Sequence, residues 1–117
     1  MPKNFDRMSQ VNEAIRQLLA KHIPDILELD PSQIITVTRV HTSKDLGHAK
    51  VFVTLFPDSE SEKLFIRLKK HTKALRYELS QETLLFRMPE LSFDIDTTEK
   101  NAQHIEALLD SLKQKDA

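Results

Sequence analysis

A two-layer α+β domain, three strands with helices packed on one face, is the fold class that this 117-residue sequence predicts. Two β-rich runs lie close together around the only glycine of the chain. Amphipathic stripes of helical period stand before and after them, and a third alternating run follows later. The order is helix, strand, strand, long helix, strand, helix, and one sheet with helices on one face accommodates it.

Residues 4 to about 23 form the first expected helix. Phe5, Met8, Val11, Ile15, Leu18, Leu19 and His22 recur at spacings of three and four, which stacks them on one face. Asn4 is placed as its N-cap and Pro24 as its end, because a residue before proline is pushed out of the helical region. Ile26, Leu27 and Leu29 lead into the turn Asp30-Pro31-Ser32.

Ile34 to Thr42 and Ala49 to Phe56 are dense in β-branched and aromatic residues, and Val51, Val53 and Leu55 share one face of a period-two strand. Lys44-Asp45-Leu46-Gly47 between them supplies turn chemistry, with Gly47 free to take positive φ. The two runs are expected to pair antiparallel.

Pro57-Asp58-Ser59 ends the second strand. Ser59 with Glu62 has capping-box spacing at the head of a long helix reaching Ser80. Its apolar stripe is Leu64, Phe65, Leu68, Thr72, Leu75 and Leu79, weakest across His71-Thr72-Lys73. Thr83 to Met88 reads as the third strand, closed by Pro89, and the alternation of Leu91, Phe93 and Ile95 allows the extended run to resume. Thr98 then caps a last helix carrying Ala102, Ile105, Leu108, Leu109 and Leu112. One domain over residues 1–117 is expected, with an ordered core of about 5–112 and a frayed C-terminal tail.

Mean hydropathy is −0.42 and 30% of residues are charged, which predicts a soluble protein, and the lack of cysteine makes the cytoplasm its default location. No run approaches the roughly 20 apolar residues of a membrane span, and the first residues lack the apolar stretch of a signal peptide. The absence of cysteine excludes disulfides and thiolate metal sites.

Net charge is −1, but its distribution is uneven. Lys63, Arg67, Lys69, Lys70, Lys73 and Arg76 fall within one acid-free stretch from Lys63 to Tyr77. Lys69, Lys73 and Arg76 follow i, i+4, i+7 spacing, so one continuous helix would align their charges. Such a row neutralises phosphates and releases counterions, giving affinity without sequence preference. The competing reading is an ordinary solvated helix face, which usually intersperses Glu among its cations. Aromatic residues are few and lie mostly at core positions, so backbone and shape contacts with structured RNA fit better than base stacking.

Enzyme motifs are thin. One glycine cannot build a phosphate-cradling loop, and no serine has the context of a nucleophile elbow. Five histidines lack helical metal-site spacing, and His41 and His48 flank the hairpin turn without a carboxylate placed to complete a site. Asp94 and Asp96 share one face of an extended run; an acid–base pair is outweighed by the solvent side of an edge segment. The acids from Glu90 to Glu99 also support a rival reading as a protein–protein adaptor. No cofactor, metal or small-molecule substrate is expected.

Three segments together bring a family into view. Thr36-Val37-Thr38-Arg39-Val40 with Ser43-Lys44-Asp45-Leu46-Gly47-His48-Ala49-Lys50-Val51 resembles the strand-turn-strand signature of bacterial ribosome-binding factor A. Leu75-Arg76-Tyr77-Glu78-Leu79 resembles that family's late long-helix segment. Arg87-Met88-Pro89-Glu90-Leu91-Ser92-Phe93-Asp94-Ile95-Asp96, with the helix ending Ile105-Glu106-Ala107-Leu108-Leu109, resembles its C-terminal part.

The resemblance implies a type II KH-like fold without the Gly-x-x-Gly loop of RNA-clamping KH domains. It also implies a kinked helix pair with Ala-x-Gly at the bend, where this chain has His71-Thr72-Lys73. The implied function is late maturation of the small ribosomal subunit, including processing of the 5′ end of its rRNA, by a non-enzymatic, monomeric assembly factor. Carried over by position, Arg7, Lys69, Lys70, Arg76 and Arg87 are candidate RNA contacts, beside Lys63, Arg67 and Lys73 from the charge pattern. Asp45, Leu46 and Ala49 are implied to build the turn, and Glu90 and Leu91 to fix the approach to the last helix.

Overall fold

Alternation of apolar and polar side chains makes the two central runs strands, and the computed structural model describes them within residues 7–82 and 87–98. β1 spans Ile34–Thr42 and β2 spans His48–Phe56, paired antiparallel from Ile34↔Phe56 to Thr42↔Ala49. Ala49, Val51, Val53 and Leu55 of β2 point into the core.

Strict alternation in β1 would bury Arg39 after Ile35 and Val37. The register instead shifts between Val37 and Arg39, leaving Thr38 as an extra, bulged residue. The slip moves the inward set from odd to even positions, so Val40 and Thr42 are buried and Arg39 is exposed.

The hairpin turn differs from expectation at its glycine. Leu46, not Gly47, holds positive φ, at 60°, a conformation that only Glu28 shares among the described non-glycine residues. Gly47 serves close approach: a Cβ there would lie 3.0 Å from Asp45 Oδ1. That carboxylate accepts from Gly47 N at 2.9 Å and from the Ser43 hydroxyl at 2.7 Å, which locks the turn.

α1 spans Arg7–Ile26 and buries Val11, Ile15, Leu19 and Ile23, a ridge of i, i+4 steps that Leu27 continues. Pro24 does not end it. Proline at this point forfeits one N–H near the helix end, while the chain beyond it still buries Leu27. The stop is Glu28 at φ 53°, with Leu29 N donating to Pro24 O and Glu28 N to Asp25 O, the pair of bonds of a Schellman cap. Phe5 and Asn4 lie outside the described residues.

A 3₁₀ turn, Asp58–Glu60, precedes α2, Ser61–Lys70. The expected capping box at Ser59 is therefore not formed: Ser59 is inside the 3₁₀ turn, and Ser61 Oγ donates to Asp58 O instead. The long helix is two helices. α3 spans Thr72–Glu82, and His71 between them sits at φ −97°, ψ 13°, a bridge conformation open to any residue. The carbonyls of the last α2 turn stay hydrogen-bonded, and Arg67 O still accepts from His71 N at 3.1 Å. His71 Nδ1 lies 2.8 Å from Arg67 O, and Thr72 Oγ1 donates to Lys69 O at 2.7 Å. The bend needs no glycine.

β3, Glu90–Ile95, pairs parallel with β2, giving a mixed sheet of order β1-β2-β3. A parallel neighbour requires a crossover, and α2 and α3 lie within it. The third strand thus begins after Pro89: Arg87 and Met88 are not strand, and 83–86 lie outside the described residues. The expected last helix, from residue 99 onward, lies outside them as well. Leu64, Leu68, Leu75 and Leu79 join the α1 ridge and the inward sheet residues, Leu91 and Phe93 among them, in a single core.

Candidate nucleic-acid interface

The break at His71 decides how the basic residues are presented. Lys69, Lys73 and Arg76 do not form one row, because Lys69 and Lys70 close α2 while Lys73 and Arg76 belong to α3. Lys69, Lys70 and Lys73 are exposed at this corner, and Lys63 is exposed in the first turn of α2, away from it. Arg67, Lys69 and Lys70 occupy the last turn of α2, where their charge complements the helix dipole. The Lys69 ammonium also lies 4.5 Å from the centre of the Phe65 ring, which steers it along the helix.

The two arginines have structural partners. Arg67 donates through Nη2 to Leu27 O, tying α2 to the end of α1. Arg76 donates from Nε to Pro89 O at 2.9 Å and from Nη2 to Met88 O at 2.8 Å, tying α3 to the segment before β3. Its Nη2 stands 3.9 Å from the Glu90 carboxylate, and 40% of the side chain remains exposed. Arg76 therefore fixes the corner and still presents charge. Nothing in the sequence separates such pins from free cations, since their acceptors are backbone carbonyls remote in the chain.

The remaining candidates lie elsewhere. Arg7 is exposed at the first residue of α1. Arg87 is exposed and near enough to Asp45 to favour its charged form, which places it beside the hairpin turn. The Ser43 hydroxyl is the main influence holding the Asp45 carboxyl below its usual range, with the Gly47 N–H next.

The acidic segment is not an open acidic face. Asp94 pairs with Lys50 at 3.3 Å, and Glu90 faces Arg76. Asp96 is not on the solvent side as expected but is 3% exposed. Its burial opposes ionisation, yet the Thr38 hydroxyl, the Thr98 N–H at 2.9 Å and the charge of Arg39 outweigh this and hold the carboxyl below its ordinary range. Thr38 reaches Asp96 because the bulge turns it off the regular ladder. His48 hydrogen-bonds Ser92 Oγ at 2.9 Å. Among the described residues no three His, Cys, Asp or Glu side chains could hold a metal ion, and no helix is long and apolar enough to cross a membrane.

Tyr77 is an exception to the expectation that the aromatics lie mostly at core positions. It is 62% exposed, on the side of α3 away from buried Leu75 and Leu79. The signal is present in the stripe, since residue 77 falls between those two positions.

Fold and site together define a KH-like α+β module that presents a basic, broken helix in the crossover and lacks a Gly-x-x-Gly loop. The family model for ribosome-binding factor A matches residues 7–109. This chain belongs to the ribosome-binding factor A family.

It is 37% identical over 119 residues to ribosome-binding factor A of Clostridium perfringens, covering 96% of this chain and 98% of that one. The crystal structure of ribosome-binding factor A from Thermus thermophilus superposes with a TM-score of 0.67 at 26% identity, over 77% of this chain and 97% of that chain. A homology model of the Thermus thermophilus factor, fitted into the cryo-electron-microscopy map of a 30S–factor complex, matches at a TM-score of 0.61 and 26% identity, over 71% of this chain and 88% of that chain.

Proposed function

We propose that this chain binds the small ribosomal subunit through its rRNA and assists late maturation of that subunit in the cytoplasm, including processing at the 5′ end of the rRNA. The observation that carries the reading is the exposed lysine cluster Lys69, Lys70 and Lys73 at the α2–α3 corner, with Lys63 exposed in the first turn of α2. It occurs in a family whose Thermus thermophilus member was fitted into a 30S complex. Lysines of this kind neutralise phosphates without reading sequence, so selectivity arises from the shape of the folded RNA against the corner. Arg67 and Arg76 hold the corner rigid, while Arg7 and Arg87 supply contacts apart from it, at the start of α1 and beside the hairpin turn. The chain acts as a monomer and by binding, biasing the rRNA toward its mature conformation.

Co-sedimentation with isolated small and large subunits across a salt series tests this. Selective pelleting with the small subunit, weakening steeply with salt, is the expected result. Equal binding to both subunits, or none at low salt, would overturn it. For the maturation step, primer extension on cells lacking the chain should show small-subunit rRNA retaining a 5′ extension. Mature ends in those cells would remove that part of the proposal.

A further inference from the structure

Tyr77 is the only tyrosine of a chain without tryptophan, and its ring contributes little to the core. It lines an open cleft of about 530 Å³ between α3 and the Met88–Glu90 segment, with Lys73, Arg76, Ser80, Met88 and Glu90 in the walls. That volume lies within the range of clefts that hold small organic groups. Each wall residue offers something different. The ring of Tyr77 is a flat apolar surface, and half-buried Met88 is an adaptable one. Lys73 stands exposed one helical turn before the ring. Arg76 is immobilised by its two carbonyl acceptors, so its charge is fixed in the cleft. Glu90 contributes an exposed carboxylate acceptor, balanced by Arg76 at 3.9 Å.

A cleft with one aromatic platform, an exposed lysine, a fixed arginine and a carboxylate acceptor matches the parts of a nucleotide. We propose that it receives one unpaired nucleobase of an RNA strand, stacked on Tyr77. Lys73 neutralises the adjoining phosphate, and the Glu90 carboxylate accepts from a base N–H or amino group. The inference rests on the RNA-binding reading and adds to it a stacking contact beside the backbone contacts of the lysine corner. A folded RNA would be gripped by its phosphates at Lys69 and Lys70 while one splayed base is held in the cleft.

The lone tyrosine makes the test direct, because its ring gives one set of NMR resonances. Hexaadenylate RNA titrated into the full chain should move those resonances upfield and saturably, as ring stacking requires. Tyr77→Ala should weaken hexaadenylate binding by about fivefold to 100-fold, with Tyr77→Phe near wild type. Because the side chain is exposed, both variants should unfold at the wild-type temperature. Hexaadenylate binding that leaves the ring resonances in place, or a Tyr77→Ala protein that binds as tightly as wild type, would overturn the stacking site. Small-subunit co-sedimentation in parallel separates the two ideas. Wild-type pelleting without ring shifts sinks the cleft alone, and ring shifts without pelleting support the cleft while sinking the ribosomal reading.

Discussion

Thr42 shows how a single side chain can be out of balance with its surroundings. It is 4% exposed, its N–H donates to Asn12 Oδ1 at 3.0 Å, and its Oγ1 has no partner among the described residues. A buried hydroxyl without a partner costs about 1–3 kcal/mol, whereas an isosteric methyl costs nothing of that kind. Thr42→Val should therefore raise stability by about 1 kcal/mol in urea unfolding, while Asn12→Ala should lower it by a similar amount because the backbone donor is left unsatisfied.

Asp96 carries the opposite lesson, a buried charge with enough donors. Its folded carboxyl titrates below its unfolded value of about 3.9. Its stabilisation is thus complete above that value and is lost as pH falls through the folded one. Asp96→Asn should flatten the acid limb of the stability–pH curve below about pH 4. Among the described residues Glu13, Asp30, Asp45 and Glu82 are also held below their usual range and contribute to the slope that remains. An unchanged acid limb would contradict the Thr38–Asp96 contact. Neither residue announced its role in the sequence. Asp96 sits in an alternating run, but β3 ends at Ile95 and the next residue turns inward to the bulge.

At the scale of elements, what depends on local pattern was legible and what depends on remote partners was not. The hairpin could be read because β-branched alternation and a polar turn are local properties. The bulge left a trace, the odd spacing between Val37 and Val40, which period-two reading passes over. The helix break left only a weak apolar stretch, since the carbonyls of the last α2 turn keep partners from the backbone and side chains of His71 and Thr72 and no glycine is needed. Pro24 misled because it stands in a last turn where the missing N–H is tolerated once Leu27 is buried. Arg76 is the sharpest case, a residue of the basic stretch whose acceptors lie twelve and thirteen positions away. Arg76→Lys keeps the charge but cannot hold both carbonyls with a planar fork. The variant should lose about 1–3 kcal/mol in thermal or urea unfolding. The salt dependence of its RNA binding should stay near wild type, because the count of cations is the same. A variant as stable as wild type would show that the two carbonyl bonds of Arg76 do not hold α3 to the segment before β3.

For the whole molecule, a net charge of −1 conceals the basic cluster on which the proposed binding rests. Long-range attraction to RNA is not available to a chain so nearly neutral, so the proposed association requires a local cluster acting within about a Debye length, ~8 Å at physiological salt. Lys69, Lys70 and Lys73 form the part of that cluster at the bend, none of them in the buried core. Replacing all three with Gln should make the salt slope of small-subunit binding shallower by about 2–3, one unit for each phosphate that is no longer neutralised. Replacing all three with Glu should abolish binding altogether, since repulsion is added to that deficit. The glutamates at 69 and 70 would also face the negative end of the α2 dipole, at a cost of about 0.3–1 kcal/mol each. The Glu protein should accordingly melt slightly lower than wild type but in one cooperative transition, and the Gln protein should lie between them. A folded Glu variant that still pellets with the small subunit would place the rRNA contact on another face of the domain, with Arg7 and Arg87 the next cations to replace.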